Sequence, residues 1–241
     1  MNISTWISRI FFPEKCTHCG KLIPLSDSFC HKCTLNECSV PEGFCFHCNS
    51  RSCRCTEDSP VLRHITAPFI YTDAAKELIT SLKFRKRKDF AIPLSEALAK
   101  RIIEDFSDID FDFVTFVPMT DKAKRKRGFN QSELIARGVA ERFFIPCIDA
   151  LVKTRDTPSQ HYLSAEERRK ITADVITYKD KAQIKGKTVL ICDDIKTTGS
   201  TLLACQKALF DGGASSVYCA VAAIPVYGNL SRSIDKESKN L

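Results

Sequence analysis

The sequence lacks any run of about 20 apolar residues, which is the length that a helix needs to cross a bilayer. Its apolar start, residues 6–12, is short and has neither a basic leader nor a small-residue cleavage site, so no signal peptide is predicted. Hydrophobic content of 44% and charged content of 27% are ordinary for a folded protein in water. These features predict a cytoplasmic protein without stable membrane insertion.

The sequence also has little cysteine outside one segment, because nine of its thirteen cysteines lie between Cys16 and Cys55. The odd total, the closely spaced pairs and the absence of an export signal favour metal ligation in a reducing cytoplasm over disulfides. The four later cysteines lie in apolar or helical stretches and are predicted to be ordinary core or half-buried residues. They are Cys147, Cys192, Cys205 and Cys219.

The clustered cysteines form two sets of four, and each set matches a closed tetrahedral zinc site. The first set is Cys16, Cys19, Cys30 and Cys33, and the second is Cys45, Cys48, Cys53 and Cys55. In the second set Cys38 or His47 is an alternative ligand, and the two sets could also share ligands around one or two ions. Four protein ligands leave no open position, so the zinc is predicted to be structural and to hold together a small ribbon module.

After this module, the sequence alternates between strand-like and helix-like segments. The predicted strands are residues 65–71, 113–117, 188–192 and 217–223, and the predicted helices are residues 73–82, 93–106, 131–143 and 199–210. Such alternation indicates an α/β fold with a largely parallel sheet flanked by helices. The predicted domains are a cysteine-rich zinc module (1–58), an α/β domain (59–228) and a disordered polar tail (229–241).

Two carboxylates, Asp193 and Asp194, follow the third predicted strand, and a hydroxyl-rich turn comes soon after. The turn, which we call the phosphate turn, consists of Thr197, Thr198, Gly199, Ser200 and Thr201. Its hydroxyls and backbone amides stand at a predicted helix amino-terminus, which favours a phosphate. The carboxylates suit sugar hydroxyls beside a bound magnesium ion, so together the segment fits a ribose 5-phosphate. The alternative is a plain capped strand-to-helix turn, and no Walker-type loop is present.

Residues 193–201 resemble the 5-phosphoribosyl-1-pyrophosphate (PRPP) motif of type I phosphoribosyltransferases. Further strings, in the same order along the chain, resemble the ComF family, which includes the competence protein ComFC and the GntX-type proteins. These strings are Lys83-Phe84, Val117-Pro118, Arg127-Gly128-Phe129-Asn130-Gln131, and Thr157 with Gln160 and Leu163. The cysteine module completes the resemblance, which implies a type I phosphoribosyltransferase-like parallel sheet with an amino-terminal zinc ribbon.

The resemblance implies a role for each part of the site. Asp193 and Asp194, as the catalytic residues, would contact the ribose hydroxyls of magnesium-bound PRPP, and the phosphate turn would bind its 5-phosphate. The loop at residues 117–120 and the basic run after it would hold the pyrophosphate. Candidate residues for pyrophosphate or nucleic acid are Lys83, Arg85, Lys122, Arg125, Arg127, Asn130 and Gln131.

Three positions depart from the family pattern. Lys196 stands where an aliphatic residue is common and adds a positive charge beside the phosphate turn. Ile171 stands where an Asn is expected, and the second cysteine set closes with CxC instead of CxxC. None of these departures touches the phosphate turn itself.

Basic residues cluster at residues 83–88, 122–127 and 168–170, and the net charge is +7. Such clusters either converge on one polyanion or form separate solvated faces. The first interpretation predicts a ComF-like protein of natural competence that binds PRPP and single-stranded DNA, with Phe84, Phe90 or Phe129 as stacking surfaces. The alternatives are an active phosphoribosyltransferase with a nitrogen acceptor, and a zinc-ribbon adaptor for a competence helicase or DNA-processing proteins.

Overall fold

The structure is a computed structural model that describes residues 16, 21–22, 39–41, 43–50, 53, 55, 64–84, 88–155, 175–179 and 184–227. Several predictions fall outside these residues: the ligands Cys19, Cys30 and Cys33, the alternative ligand Cys38, the candidate Arg85, residues 157–171 and the tail. Within the described part of the chain, no helix combines the length and the apolar character needed to cross a membrane.

A parallel sheet forms the centre of the fold, as the alternating sequence predicted. The strands are β1 (Ile65–Thr66), β2 (Phe69–Ile70), β3 (Phe113–Phe116), β4 (Leu151–Lys153), β5 (Ile176–Tyr178), β6 (Thr188–Ile195) and β7 (Ser216–Ile224). Strand β7 pairs with β1, β2 and β6, and β6 pairs with β3, all in parallel. Strands β4 and β5 form a separate antiparallel pair.

Helices cover both faces of this sheet. They are α1 (Asp73–Phe84), α2 (Ala91–Asp105), α3 (Asp121–Arg127), α4 (Gln131–Phe143) and α5 (Ser200–Asp211). Successive residues of a strand point to opposite faces, so Leu190 and Cys192 lie in one core while Val189 and Ile191 lie in the other. Helices α1, α2 and α4 pack on the first core and α5 on the second. Cys192, Cys205 and Cys219 are buried, as predicted for core residues.

The structure differs from the predicted elements where a local signal was misleading. The strand predicted at residues 65–71 divides into β1 and β2 at Ala67 and Pro68, because proline has no N–H for a ladder hydrogen bond. Strand β6 continues through Asp193 to Ile195, since β7 pairs with it over that length. Helix α3 and the β4–β5 pair were not predicted, because segments of three to seven residues show too little periodicity.

The segment before the second cysteine set packs against the edge of the sheet. Ser39 bridges to Phe69, and the amide of Val40 donates to the carbonyl of Pro68 at 3.2 Å. Val40 and Phe44 are buried in the same core as the residues of β1 and β2. The described part of the cysteine-rich segment therefore shares its core with the α/β sheet.

Candidate functional site

The two adjacent carboxylates lie at the carboxyl end of β6, where ligands of parallel sheets bind. Asp193 is 8% exposed and Asp194 is 4% exposed. Asp193 Oδ1 accepts hydrogen bonds from Ser132 Oγ at 2.7 Å and from the backbone amide of Asp194 at 2.8 Å. Helix α4, which carries Ser132, therefore fixes the orientation of Asp193.

The buried position of Asp193 changes its acidity. Burial raises the pKa of Asp193 to about 8, with a further contribution from the negative charge of Asp194, while the hydrogen bond from Ser132 opposes the shift. At neutral pH the carboxyl consequently holds a proton more often than an ordinary aspartate does. A cation or a hydrogen-bond donor arriving at this carboxyl would favour its ionised form.

Asp194 connects the two basic runs that the sequence keeps apart. Lys83, in the last turn of α1, forms an ion pair with Asp194 Oδ2. Gln131 Nε2 donates to Asp194 Oδ1 at 3.3 Å, and Arg127 Nη1 donates to Gln131 Oε1 at 2.5 Å. Lys83 thus contacts Asp194 directly, and Arg127 is connected to the same carboxylate through Gln131.

The string Arg127-Gly128-Phe129-Asn130-Gln131 forms the connection between α3 and α4. Gly128 ends α3 with φ +90°, a left-handed conformation that glycine adopts without strain. Asn130 caps α4 by accepting from the amide of Ser132 at 3.0 Å, and its side-chain amide donates to the carbonyl of Val117 at 2.9 Å. Phe129 is buried between the two helices' ends. The string therefore ties the loop after β3 to the helix that orients Asp193.

A pocket of about 230 Å³ opens between this loop and the end of β6. It is lined by Val117, Pro118, Met119, Thr120, Ala123, Asn130, Gln131, Ser132, Lys153 and Asp193. The predicted pyrophosphate loop, residues 117–120, thus faces the predicted ribose carboxylate Asp193 across one cavity. The phosphate turn does not contribute to this lining.

The phosphate turn begins two residues after β6 ends and includes the first two residues of α5, Ser200 and Thr201. Gly199 adopts φ +79° at the amino-terminal cap of α5, where it has no side chain to cap the helix. The amides in the first turn of a helix have no acceptor inside the helix. The hydroxyls of Thr198 and Ser200 lie 3.0 Å apart, and Thr197 is exposed. The turn thus presents amides and hydroxyls together, which is the donor set that a phosphate requires.

Basic residues outside the carboxylate cluster form an exposed surface. Lys122 and Arg125 are exposed on α3, whereas Lys124 pairs with Glu133 at 3.1 Å. The guanidinium of Arg127 lies 5.6 Å from the ring centre of Phe84, which is 71% exposed. The ammonium of Lys88 lies 5.3 Å from the ring centre of Phe129. Of these two rings only that of Phe84 is exposed; Phe129 is 6% exposed, so its prediction as a stacking surface was wrong.

The second cysteine set converges on one point. The sulfurs of Cys45, Cys48, Cys53 and Cys55 all lie within 4.8 Å of one another, and Cys45 Sγ is 4.0 Å from Cys55 Sγ. Zinc–sulfur bonds of about 2.3 Å in a tetrahedron separate the sulfurs by about 3.8 Å, so the four thiols fit a zinc ion. The tight CxC pair is accommodated, and His47 is not part of the group.

The thiols of this cluster differ in acidity: burial and side-chain hydrogen bonds raise the pKa of Cys48 and Cys55, whereas that of Cys45 is lowered. Burial raises the pKa of the Cys45 thiol, but hydrogen bonds from the backbone of Cys48 and from Cys53 outweigh it and bring the pKa to about 7. Zinc binds thiolates, so a thiol that ionises near neutral pH lowers the proton cost of binding. Of the first set, the structure describes only Cys16, which is buried with its amide donating to the carbonyl of Lys21 at 2.6 Å.

Residues 91–239 match the sequence profile of the phosphoribosyl transferase domain. The chain belongs to this family. It is 27% identical over 210 residues to the DNA utilization protein YhgH of Escherichia coli O157:H7, covering 84% of this chain and 86% of that protein. It is also 27% identical over 212 residues to Competence protein F of Haemophilus influenzae, covering 83% of this chain and 92% of that protein. Within the family, the chain is a ComF protein, as its strings predicted.

Among solved structures, the chain is similar to the allosteric regulatory enzyme of purine biosynthesis. That similarity has 21% sequence identity and a TM-score of 0.40, and it covers 59% of this chain and 29% of the other.

In this ComF protein, sequence reasoning missed three residues beside the site. Ser132 and Lys153 line the pocket, and Ser132 holds Asp193. Asn49 contacts the phosphate turn from the cysteine-rich segment. Ser132 could have been suspected because it follows Gln131 on the first turn of a helix that faces the sheet. The positions of Lys153 and Asn49 depend on chain segments far away in sequence, and no local pattern indicates them.

Proposed function

We propose that this protein serves natural competence in the cytoplasm, binding PRPP or a related ribose phosphate at residues 193–201 and single-stranded DNA on the adjacent basic surface. The relatives named DNA utilization protein and Competence protein F support the cellular role. The observation that carries the binding site is the arrangement of Asp193 and the pyrophosphate loop around one pocket, with Asp194 held behind it by Gln131, which also lines the pocket.

The proposal of a ribose phosphate as the ligand rests on the donors of the phosphate turn and the two carboxylates that precede it. The phosphate turn offers donors to the 5-phosphate, and the helix dipole of α5 adds a partial positive charge there. Asp193 and Asp194 accept hydrogen bonds from the two ribose hydroxyls. Thr120 and Lys153 also line the pocket and would face the pyrophosphate. The carboxylates of Asp193 and Asp194 offer the oxygen ligands that magnesium prefers, and the ion would supply positive charge to offset that of the pyrophosphate.

Single-stranded DNA is the proposed second ligand because α3 carries exposed cations and the exposed ring of Phe84 lies beside Arg127, at the end of that helix. Lys122 and Arg125 would contact phosphates, and the exposed ring of Phe84 would stack on a base. The guanidinium of Arg127 above that ring adds charge at the same place. Such a surface binds without sequence preference and with strong salt dependence.

Calorimetry tests the ribose phosphate site. Magnesium PRPP is titrated into the wild type, into the double variant Asp193→Asn with Asp194→Asn, and into the control Asp108→Asn with Asp110→Asn, whose carboxylates are exposed elsewhere. We expect binding by the wild type and the control, at least about tenfold weaker binding by the site variant, and dependence of that difference on magnesium. Equal affinities in all three proteins would rule out the assignment.

The salt dependence of oligonucleotide affinity tests the DNA surface. Each phosphate contact adds about 0.7 to the slope of log affinity against log salt for single strands, so Lys122→Gln with Arg125→Gln should lower the slope by about 1.4. Lys100→Gln with Lys207→Gln, which removes two exposed cations from α2 and α5, is the control and should leave the slope unchanged. Absence of binding at low salt would exclude the DNA function, and an unaltered slope would exclude this surface.

Turnover is a second candidate, favoured by the ion pair of Lys83 with Asp194 and by the connection of Arg127 to Asp194 through Gln131. In that reaction, a nitrogen nucleophile attacks the anomeric carbon of PRPP as its bond to pyrophosphate breaks, and the cations stabilise the leaving diphosphate. Pyrophosphate release from magnesium PRPP is measured with a panel of bases, nucleotides and DNA ends. Pyrophosphate release above background would establish enzymatic turnover. If no acceptor gives release, turnover is excluded for this panel and the proposed function is limited to binding.

A further inference from the structure

Lys196 occupies an unusual position for a lysine. It lies directly before the phosphate turn, it is 2% exposed, and its amide donates to the carbonyl of Ala223 at 3.1 Å. A buried ammonium is costly unless hydrogen bonds and opposite charge compensate it. Its Nζ donates to Asn49 Oδ1 at 2.6 Å and to the carbonyl of His47 at 3.2 Å. Both acceptors belong to the turn that carries Cys45 and Cys48.

Asn49 makes contacts in both directions. It is 1% exposed and adopts φ +58°, a left-handed conformation that asparagine tolerates better than most residues. Its amide donates to the carbonyl of Cys45 at 2.9 Å, and its carbonyl accepts from the amide of Tyr227 at 2.8 Å. Its side-chain Nδ2 donates to the carbonyl of Thr197 at 3.2 Å. One side chain therefore contacts both Lys196 and the first residue of the phosphate turn.

The charge of a metal-loaded cysteine cluster would favour a cation such as Lys196 nearby. Four thiolates around a zinc ion carry a net charge of about −2. The turn at residues 45–50, which we call the cysteine turn, is closed by the amide of Cys45 donating to the carbonyl of Ser50 at 2.9 Å. That closed conformation directs Cys45 and Cys48 toward Cys53 and Cys55, and it also places Asn49 over Thr197. The ammonium of Lys196 contacts the cysteine turn through His47 and Asn49 and would compensate part of this negative charge.

We propose that Asn49 and Lys196 are positioning residues that couple metal binding at Cys45, Cys48, Cys53 and Cys55 to the order of the phosphate turn. Zinc fixes the cysteine turn, the cysteine turn fixes Asn49, and Asn49 with Lys196 fixes the backbone at Thr197. Loss of the metal releases the phosphate turn. The inference deepens the proposed function and rests on it for the identity of the ligand, but the coupling itself is a property of this chain alone.

Two variants separate the coupling from general stability. Asn49→Gly keeps a residue suited to φ +58° and removes both side-chain hydrogen bonds. Lys196→Met keeps the unbranched side chain and removes only the charge and its donors. The control is Lys187→Met, because Lys187 lies before the opposite end of β6 and pairs with the exposed Asp112 at 2.8 Å.

Amide hydrogen exchange measures the order of the phosphate turn. In the wild type, removing zinc with a chelator should speed exchange at residues 197–202 by about tenfold or more, while α4 keeps its protection. Zinc-loaded Asn49→Gly and Lys196→Met should already show the fast exchange, and Lys187→Met should behave as the wild type. Zinc-loaded variants with wild-type exchange in this segment would overturn the proposal, and so would wild-type exchange that zinc does not alter.

Zinc and PRPP titrations supply an independent readout. Residues that orient the ligands of a metal site typically contribute about 10- to 100-fold in affinity, so both variants should bind zinc about tenfold more weakly. Coupling is reciprocal. Magnesium PRPP should therefore raise the affinity for zinc by the same factor by which zinc raises the affinity for PRPP. If zinc-loaded wild type does not bind PRPP while zinc still orders the turn, the proposed function fails and the coupling stands. PRPP affinity that is independent of zinc would overturn the coupling instead.

Discussion

At the residue scale, the two neighbouring carboxylates at the end of β6 have different partners. Asp193 accepts from the uncharged hydroxyl of Ser132, whereas Asp194 pairs with the ammonium of Lys83. Two adjacent buried carboxylates resist being ionised together, and the ammonium of Lys83 pairs directly with Asp194. Burial and the charge of Asp194 raise the pKa of Asp193, and a bound cation would favour its ionised form.

The pH dependence of stability should report this proton. The pKa of Asp193 is about 8 in the folded protein and close to 4 in the unfolded chain, so the folded protein binds more protons between these values. The free energy of unfolding therefore falls as pH rises through that window. The fall from pH 5 to pH 8 is on the order of 3 kcal/mol, and Asp193→Asn should abolish it, as measured by denaturant unfolding at several pH values.

A second carboxylate provides the control for this experiment. The hydrogen bonds from Lys187 and from the amide of Thr188 lower the pKa of Asp112. The contribution of Asp112 to the free energy of unfolding is complete above the pKa that this group has in the unfolded chain. It is lost only as pH falls below that value. Asp112→Asn should therefore leave the slope between pH 5 and pH 8 unchanged. A wild-type slope retained in Asp193→Asn would mean that Asp193 is ionised in the folded protein.

The sequence indicated the candidate site residues themselves, but it did not indicate all of the side chains that contact them. The pair Asp193 and Asp194 and the following turn are a contiguous string, so their chemistry could be inferred directly. Ser132 and Gln131 reach that pair only because α4 packs across β6. Such contacts between distant segments leave no periodic signal, and this is why Ser132 and Lys153 were missed.

At the element scale, α4 is the helix on which the site depends, since its first turn carries Asn130, Gln131 and Ser132. Its distance from α2 is set at Gly138. A Cβ at that position would lie 2.3 Å from Ser95 Oγ and 2.7 Å from Ser95 Cβ. The hydroxyl can rotate away, but Ser95 Cβ is fixed to the backbone of α2, so the helices would have to separate.

The variant Gly138→Ala distinguishes close packing from helix propensity. Propensity alone predicts a gain of about 1 kcal/mol in the free energy of unfolding, whereas overpacking predicts a loss of about 1–3 kcal/mol. We expect a net loss in denaturant unfolding. Adding Ser95→Gly removes both clashing atoms and should recover part of that loss, which a double-mutant cycle measures. A more stable single variant would show that α2 and α4 separate at little cost.

The elements were predicted with different accuracy. Helix α4 was predicted with its observed bounds, and in the structure Asn130 caps its amino-terminus. The end of β6 was placed too early, because charge normally marks the end of a buried strand, whereas Asp193 and Asp194 remain within the strand that pairs with β7. This exception falls at the proposed site.

At the scale of the whole molecule, the cysteine turn, the phosphate turn and the basic helices form one continuous assembly. Asn49 connects the first two, and Lys83 and Arg127 connect the carboxylates to the basic surface. The sequence indicated each part separately, because each part has its own motif. It did not indicate their contacts, since Asn49 and Lys196 are joined only after the sheet has formed.

Shared cations predict competition between the two proposed ligands. Lys83 pairs with Asp194, and Arg127 is connected to Asp194 through Gln131 and also lies over the exposed ring of Phe84, so these cations cannot neutralise both anions fully. Saturating magnesium PRPP should weaken the binding of a labelled single-stranded oligonucleotide by about tenfold at low salt, as measured by fluorescence anisotropy. The variant Asp193→Asn with Asp194→Asn should show no such effect. Unchanged affinity in the wild type would place the two ligands on separate surfaces.

A crystal structure of the protein with magnesium PRPP would test the central claim most directly. The account predicts the 5-phosphate within hydrogen-bond distance of the amides of the phosphate turn, and the ribose hydroxyls on Asp193 and Asp194. It predicts the pyrophosphate between Thr120 and Lys153. A ligand bound elsewhere, or a 5-phosphate on Lys83 and Arg127 with the phosphate turn empty, would contradict the account.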